Sequence, residues 1–149
     1  MHPIRPARAS DLPRIAEIYI FNYRLNFYPI FRNDEYYFTE LQGPSLTEEF
    51  LKDSEFLRST YVYDDGAVKG FIQTDHGEIR KLFVEPVLQG NGIGTLLLEF
   101  AVHEKDARSL WALEKNTRAI VFYQRHGFRL TDEKKLEDDT SEYLVKMVR

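Results

Sequence analysis

A mixed, mostly antiparallel α/β sheet flanked by helices is the fold class this sequence predicts, and three observations carry it. Short β-rich runs follow one another from Thr60 to Val84, separated by the turn signals Asp64-Asp65-Gly66 and His76-Gly77. The period then changes. Ile93, Leu96, Leu97, Phe100 and Ala101 recur at i, i+3, i+4, i+7 and i+8, the stripe of a helix packed on a sheet. Finally, no linker, repeat or low-complexity segment interrupts the 149 residues, so 1–149 is expected to be one domain with one substantial core. Hairpins supply antiparallel pairing, and strands followed by single crossover helices supply the rest.

In chain order, Ile4 begins a short strand that Pro6 ends, and Ser10 or Asp11 is placed to cap a helix with Pro13 in its first turn. Leu12, Ile15, Ala16, Tyr19 and Ile20 keep helical spacing to about Arg24. The aromatic tract Phe27, Tyr28, Phe31, Tyr36, Tyr37 and Phe38 has poor periodicity and reads as loop with a short helix, folded on the core or walling a site. Ser45 and Glu48 match a capping box, which predicts a second helix from Leu46 to about Leu57. Thr60–Tyr63, Val68–Thr74 and Glu78–Val84 are the consecutive strands. After the helix from Ile93, Ser109 to Leu113 forms a short buried strand carrying the single tryptophan. Asn116 or Thr117 caps a further helix that Gly127 closes. Phe128–Thr131 and Glu142–Val148 are expected to be closing strands around a charged loop from Asp132 to Ser141.

Composition excludes several functions. A net charge of −4 and no Lys/Arg cluster argue against a nucleic-acid footprint. Zero cysteines remove disulfides, thiol nucleophiles and cysteine-ligated zinc. The four histidines, His2, His76, His103 and His126, lack ligand spacing, and no G-x-S-x-G is present. The start lacks the apolar core of a signal peptide and no apolar run approaches a membrane span, so a cytoplasmic protein without membrane partner is expected.

The chemistry points to residues 81–105. Gly90, Gly92 and Gly94 sit where a strand has ended and a helix begins, a place where backbone N–H groups are free and a ligand can approach closely. Such a helix start suits an anion, above all phosphate; it is also simply a tight strand-to-helix turn. Gly94 is followed by Thr95-Leu96, not Lys-Ser/Thr, so this is no P-loop, and the G-x-G-x-G spacing differs from the dinucleotide fingerprint.

Gln89, Gly92 and Gly94 spell Q-x-x-G-x-G, which resembles the acyl-CoA-binding motif of the GCN5-related N-acetyltransferase (GNAT) superfamily. The order β-α-α-β-β-β-α-β-α-β-β extends that resemblance over essentially the whole chain. The resemblance implies acetyl-CoA as co-substrate, its pyrophosphate held by loop amides across Gln89, Gly90, Asn91, Gly92, Ile93, Gly94 and Thr95. It also implies that Leu82, Phe83 and Val84 pair with the pantetheine arm. Asn116 to Phe128, NTRAIVFYQRHGF, looks like the family's later motif. By that likeness Asn116 contacts the arm or orders the site, Phe122 is core or arm contact, and Tyr123 is the general acid near the sulfur. Glu78, eleven residues before Gln89, matches the position of a general-base glutamate in the histone acetyltransferase branch. A strand-start glutamate is equally a solvent-facing residue, water being the base in other members. The segment from Glu85 to Thr95 departs from the family in holding no Lys or Arg, leaving the anion to amides and helix dipole.

An N-acetyltransferase acting on a primary amine in a direct ternary complex is the reading this supports, with a non-catalytic acyl-CoA-binding module as the alternative. The acceptor is not specified, nor is an oligomeric state. Tyr23 to Tyr37 and the acidic Glu137-Asp138-Asp139 suggest a cationic amine, and the latter is also read as a solvated loop.

Overall fold

The computed structural model describes residues 3–149, so His2 lies outside the described residues. Strand β1 (Ile4–Pro6) is followed by a 3-10 turn and helix α1 (Leu12–Asn22). The expected cap is not made by a side chain. Asp11 instead accepts the Arg8 amide at 2.8 Å and the Arg5 guanidinium at 2.8 and 3.0 Å. Its oxygens are therefore committed to tying β1 to the turn.

The aromatic tract is more helical than its periodicity suggested. A π turn (Tyr23–Phe27) extends α1, helix α2 (Tyr28–Phe31) follows, and a second π turn spans Tyr36–Glu40. The Tyr28 amide reaches back to the Tyr23 carbonyl, and the Leu41 amide to Tyr36 at 2.8 Å. A widened turn shifts the phase of every following side chain, which hides the 3.6-residue stripe. Helix α3 (Gly43–Lys52) begins before the expected capping box, and the Ser45 hydroxyl bonds back to the Gln42 carbonyl. The single helix expected through Leu57 is broken at Asp53, whose extended backbone (φ −96°, ψ 94°) lets its carboxylate cap helix α4 (Ser54–Ser59) through the Glu55 and Phe56 amides.

Strands β2 (Thr60–Asp64), β3 (Val68–Asp75) and β4 (Glu78–Val84) form the expected meander. Helix α5 (Ile93–Glu104), strand β5 (Ser109–Leu113) and helix α6 (Thr117–Arg125) come next. The charged loop from Asp132 is shorter than expected, because β6 (Arg129–Leu136) runs five residues into it before β7 (Tyr143–Val148). β6 is an edge strand exposed along most of its length, so polar residues suffice and no alternation marks it.

The seven strands lie in the order β1-β2-β3-β4-β5-β7-β6. All pairs are antiparallel except β4 with β5. Each face has its own core. Phe71 packs with α1, α3 and α4, and its neighbour Ile72 faces α5; both are fully buried. Burying side chains of this size contributes about 1.5–3 kcal/mol each.

One irregularity positions the site. β4 and β5 pair at only Glu78↔Ser109 and Ile79↔Leu110. Lys81 of β4 faces Gln73 of β3 while Ile79 faces Thr74, so Arg80 is an extra, bulged residue. A bulge bends its strand. Immediately beyond it the two strands part, opening a wedge in the middle of the sheet.

Candidate active site

The wedge is part of a cavity of about 1480 Å³. Leu82, Phe83 and Val84 form one wall and Trp111, Ala112 and Leu113 the other. The facing edge of β4 has a definable polarity. The Glu85 amide donates to Lys69 of β3 at 2.9 Å, so the Val84 carbonyl points away from β3, into the wedge. By the alternation of an antiparallel ladder, Leu82 shares that orientation. The Val84 carbonyl is taken by Asn22 at 2.9 Å and Gln89 at 3.2 Å, so the edge left to pair with an extended chain carrying amides is that of Leu82 and the Val84 amide.

The glycine loop closes one end of the cavity. Gly90 and Gly92 take φ of +86° and +85°, a region costly for residues with a side chain, and a Cβ at either would meet no atom within 4 Å. Open space therefore lies over the backbone. The first rung of α5 is the Leu96 amide on the Gly92 carbonyl at 3.1 Å, which leaves the amides of Ile93, Gly94 and Thr95 ahead of the ladder. The loop's side chains turn back on the protein. Gln89 donates to the Asn22 side-chain oxygen at 3.0 Å and to the Val84 carbonyl at 3.2 Å, and Asn91 donates to Leu88 at 3.0 Å. The Thr95 hydroxyl lies 3.3 Å from His126 Nε2. The surface this loop offers to the cavity is thus mainly backbone.

Helix α6 supplies what the loop sequence lacks. Arg118, Phe122 and Arg125, spaced i, i+4, i+7, share one face and line the cavity. A Cβ on Gly94 would touch the Phe122 ring at 3.6 Å, so this face meets the loop. Both arginines were missed by reading the loop alone; their spacing within α6 was the available signal. Asn116 caps α6 by accepting the Ala119 amide at 3.3 Å. Tyr123 lines the cavity and packs edge-on to Phe128 at 5.8 Å. Burial pushes its phenol above the ordinary range, so it is protonated at neutral pH.

Glu78 lies where β4 and β5 still pair, and Arg80 binds its carboxylate at 3.1 Å. Its neighbours Ile79, Arg80 and Lys81 line the cavity, and Glu78 does not. Lys81 is a titratable cavity residue that sequence reasoning passed over. Burial lowers its pKa, and its amine donates to Gln73 at 3.3 Å.

Aromatic and acidic side chains line the cavity as well. Tyr19 stacks on Tyr23 with ring centroids 4.0 Å apart, Tyr23 meets Phe27 at 4.6 Å, and Phe83 stands edge-on to all three. Glu137, Asp138, Asp139 and Glu142 line the same cavity. Burial, then Tyr36 and Glu137, push the Tyr37 phenol up to about 12, which places Glu137 within electrostatic reach of the rings. Among the described residues no cluster of His, Asp or Glu could hold a metal ion, and no helix is long and apolar enough to cross a membrane.

Residues 57–130 match the acetyltransferase (GNAT) domain family. The chain is 29% identical over 93 residues to peptidyl-lysine N-acetyltransferase YjaB of Salmonella typhimurium, covering 62% of this chain and 63% of that protein, under two thirds of its length. It is 28% identical over 131 residues to peptidyl-lysine N-acetyltransferase YiaC of Escherichia coli, covering 87% and 84%. Its fold is shared with the PaiA N-acetyltransferase of Thermoplasma acidophilum, solved with coenzyme A, at a TM-score of 0.73 and 21% identity, covering 98% of each chain.

Proposed function

Because the chain belongs to the GCN5-related N-acetyltransferase superfamily, we propose that it moves acetyl from acetyl-CoA to a primary amine by direct attack in a ternary complex. The observation that carries this reading is the wedge: an open β4 edge, free α5 amides and the half-buried phenol of Tyr123 converge on one cavity. The residues fit the co-substrate. The pyrophosphate would lie on the amides from Gly92 to Thr95, where Gly92 leaves room, with Arg118 and Arg125 supplying positive charge. The pantetheine amides would pair along Leu82 to Val84, beside Asn116 and Phe122.

In the reaction the amine lone pair forms a bond to the thioester carbonyl carbon, and the C–S bond breaks as the resulting oxyanion collapses. The sulfur leaves as thiolate beside Tyr123. An ordinary thiol has a pKa of ~8.5 and an ordinary phenol ~10, and burial raises this phenol further. Complete proton transfer from Tyr123 to the thiolate is therefore uphill. Its main contribution is a hydrogen bond that grows as charge builds on sulfur. The ammonium must also lose a proton before attack. Arg80 already holds Glu78, whose carboxylate stands outside the cavity lining, so we assign that proton to water at the open acceptor side.

The acceptor would enter between the aromatic wall and the loop 137–142. Rings and carboxylates together favour a cationic amine, and the peptidyl-lysine activity named for two relatives supports a lysine-like group. A panel of lysine peptide, polyamine and neutral aryl amine, followed by free-thiol release, tests this. Cationic amines should turn over, with kcat/KM falling as salt rises. Binding of acetyl-CoA without turnover of any amine would leave a non-catalytic binding module; absence of binding would overturn the proposal altogether.

A further inference from the structure

Asn22 closes α1 with a side chain that is 2% exposed, on the helix face where Ile15 and Ile18 are fully buried. An amide on that face needs partners, and it has them on both polar atoms. Nδ2 donates to the Ile18 and Val84 carbonyls at 2.9 Å each. Oδ1 accepts from Gln89 at 3.0 Å and from Asn26 at 3.4 Å. Gln89 in turn donates to the same Val84 carbonyl at 3.2 Å. Asn22, Gln89 and Val84 thus form a closed triangle joining α1, the glycine loop and the end of β4.

The triangle meets a need the wedge creates. The Val84 carbonyl points toward β5, and β5 has already diverged. Without Asn22 and Gln89 it would lose its protein partners at a buried position, a costly state. We infer that Asn22 is a positioning residue, which holds the loop end of the wedge open and clamps Gln89 so that the amides from Gly92 onward face the cavity. Asn22 also sits beside Tyr23, so the acceptor wall and the loop share one anchor. The inference rests on the reading of the wedge as the acetyl-CoA groove.

The test is calorimetric titration of acetyl-CoA into the full chain, with thermal melts and steady-state kinetics alongside. Asn22→Leu keeps volume and burial and should weaken acetyl-CoA binding about tenfold or more, with kcat at saturation little changed. Gln89→Leu should give a comparable loss, and the double variant should be little worse than either single one, because each breaks the same triangle. A merely structural Asn22 would lower Tm and leave Kd unchanged, and that result overturns the inference. If Asn22→Leu does not fold, Gln89→Leu decides alone: wild-type Kd in that variant overturns the clamp. Failure of the wild-type chain to bind acetyl-CoA would instead remove the groove reading itself.

Discussion

Gly92→Val separates the loop's role in binding from its role in the fold. Gly92 stands at φ +85° as the residue that starts α5, and a Cβ there meets nothing within 4 Å. Steric clash is thus absent, and the stability cost is conformational. A β-branched residue held in the left-handed region costs about 1–2 kcal/mol. For a chain of this size that is a fall in Tm of about 3–6 °C, which leaves the protein folded at room temperature. The binding cost is larger. The valine methyl groups would occupy the open space above the free amides of Ile93, Gly94 and Thr95. Each charge-assisted bond to a pyrophosphate oxygen is worth about 1.5–3 kcal/mol. Losing two of them weakens binding by roughly 10²–10⁴-fold. Titration of acetyl-CoA into Gly92→Val, beside a thermal melt, reads both quantities. Gly94→Ala serves as the contrast, since its Cβ would make ordinary contact with Phe122 at 3.6 Å. A folded Gly92→Val protein with wild-type affinity would refute the placement of the pyrophosphate.

Three other perturbations have definite expected outcomes. Tyr123→Phe should lower kcat by ~10², the size expected for removing one hydrogen bond to charge developing on sulfur, with Kd for acetyl-CoA unchanged; wild-type turnover would return Tyr123 to the core. Glu78→Gln should leave the pH profile of kcat/KM intact if water removes the proton, and loss of its ascending limb would reinstate Glu78 as base. Asp11 is held below the usual carboxylate range by its hydrogen bonds to Arg5, opposed in part by burial. The stability it adds is present above the unfolded pKa near ~4 and is lost as pH falls through the lower folded value. Asp11→Asn should accordingly lower Tm at neutral pH, by on the order of 1–2 kcal/mol of stability, and match the wild type in acid; a pH-independent difference would refute the linkage.

The meander and the glycine loop were legible because their signals are local. Asp64-Asp65-Gly66, His76-Gly77 and the apolar run from Ile93 are each short, although Leu96 of the expected stripe is exposed and Leu98 and Val102 join Ile93, Leu97 and Ala101 on the buried face. The aromatic tract from Phe27 to Phe38 was not legible in the same way. The π turns at Tyr23 and Tyr36 reset the helical phase, and Asp53 interrupts what reads as one amphipathic helix. The edge strand β6 escaped for the converse reason: exposed to water, it needs no apolar alternation. Asn22 shows where local reading ends. Its partner Gln89 lies 67 residues away, so only the folded chain reveals why a polar residue occupies that buried face.

The charge layout of the cavity gives the missing loop cation a physical meaning. Between Glu85 and Thr95 there is no Lys or Arg, yet Arg118 and Arg125 reach the cavity from α6. Together with the positive end of α5 they bring positive charge to the cavity, as the proposed pyrophosphate site needs. The cavity is also lined by Glu137, Asp138, Asp139 and Glu142, the last ion-paired to Lys115 at 2.9 Å, and by Arg80 and Lys81. Carrying positive charge on α6 rather than on the loop leaves the loop backbone clear, which the proposed contact through amides requires.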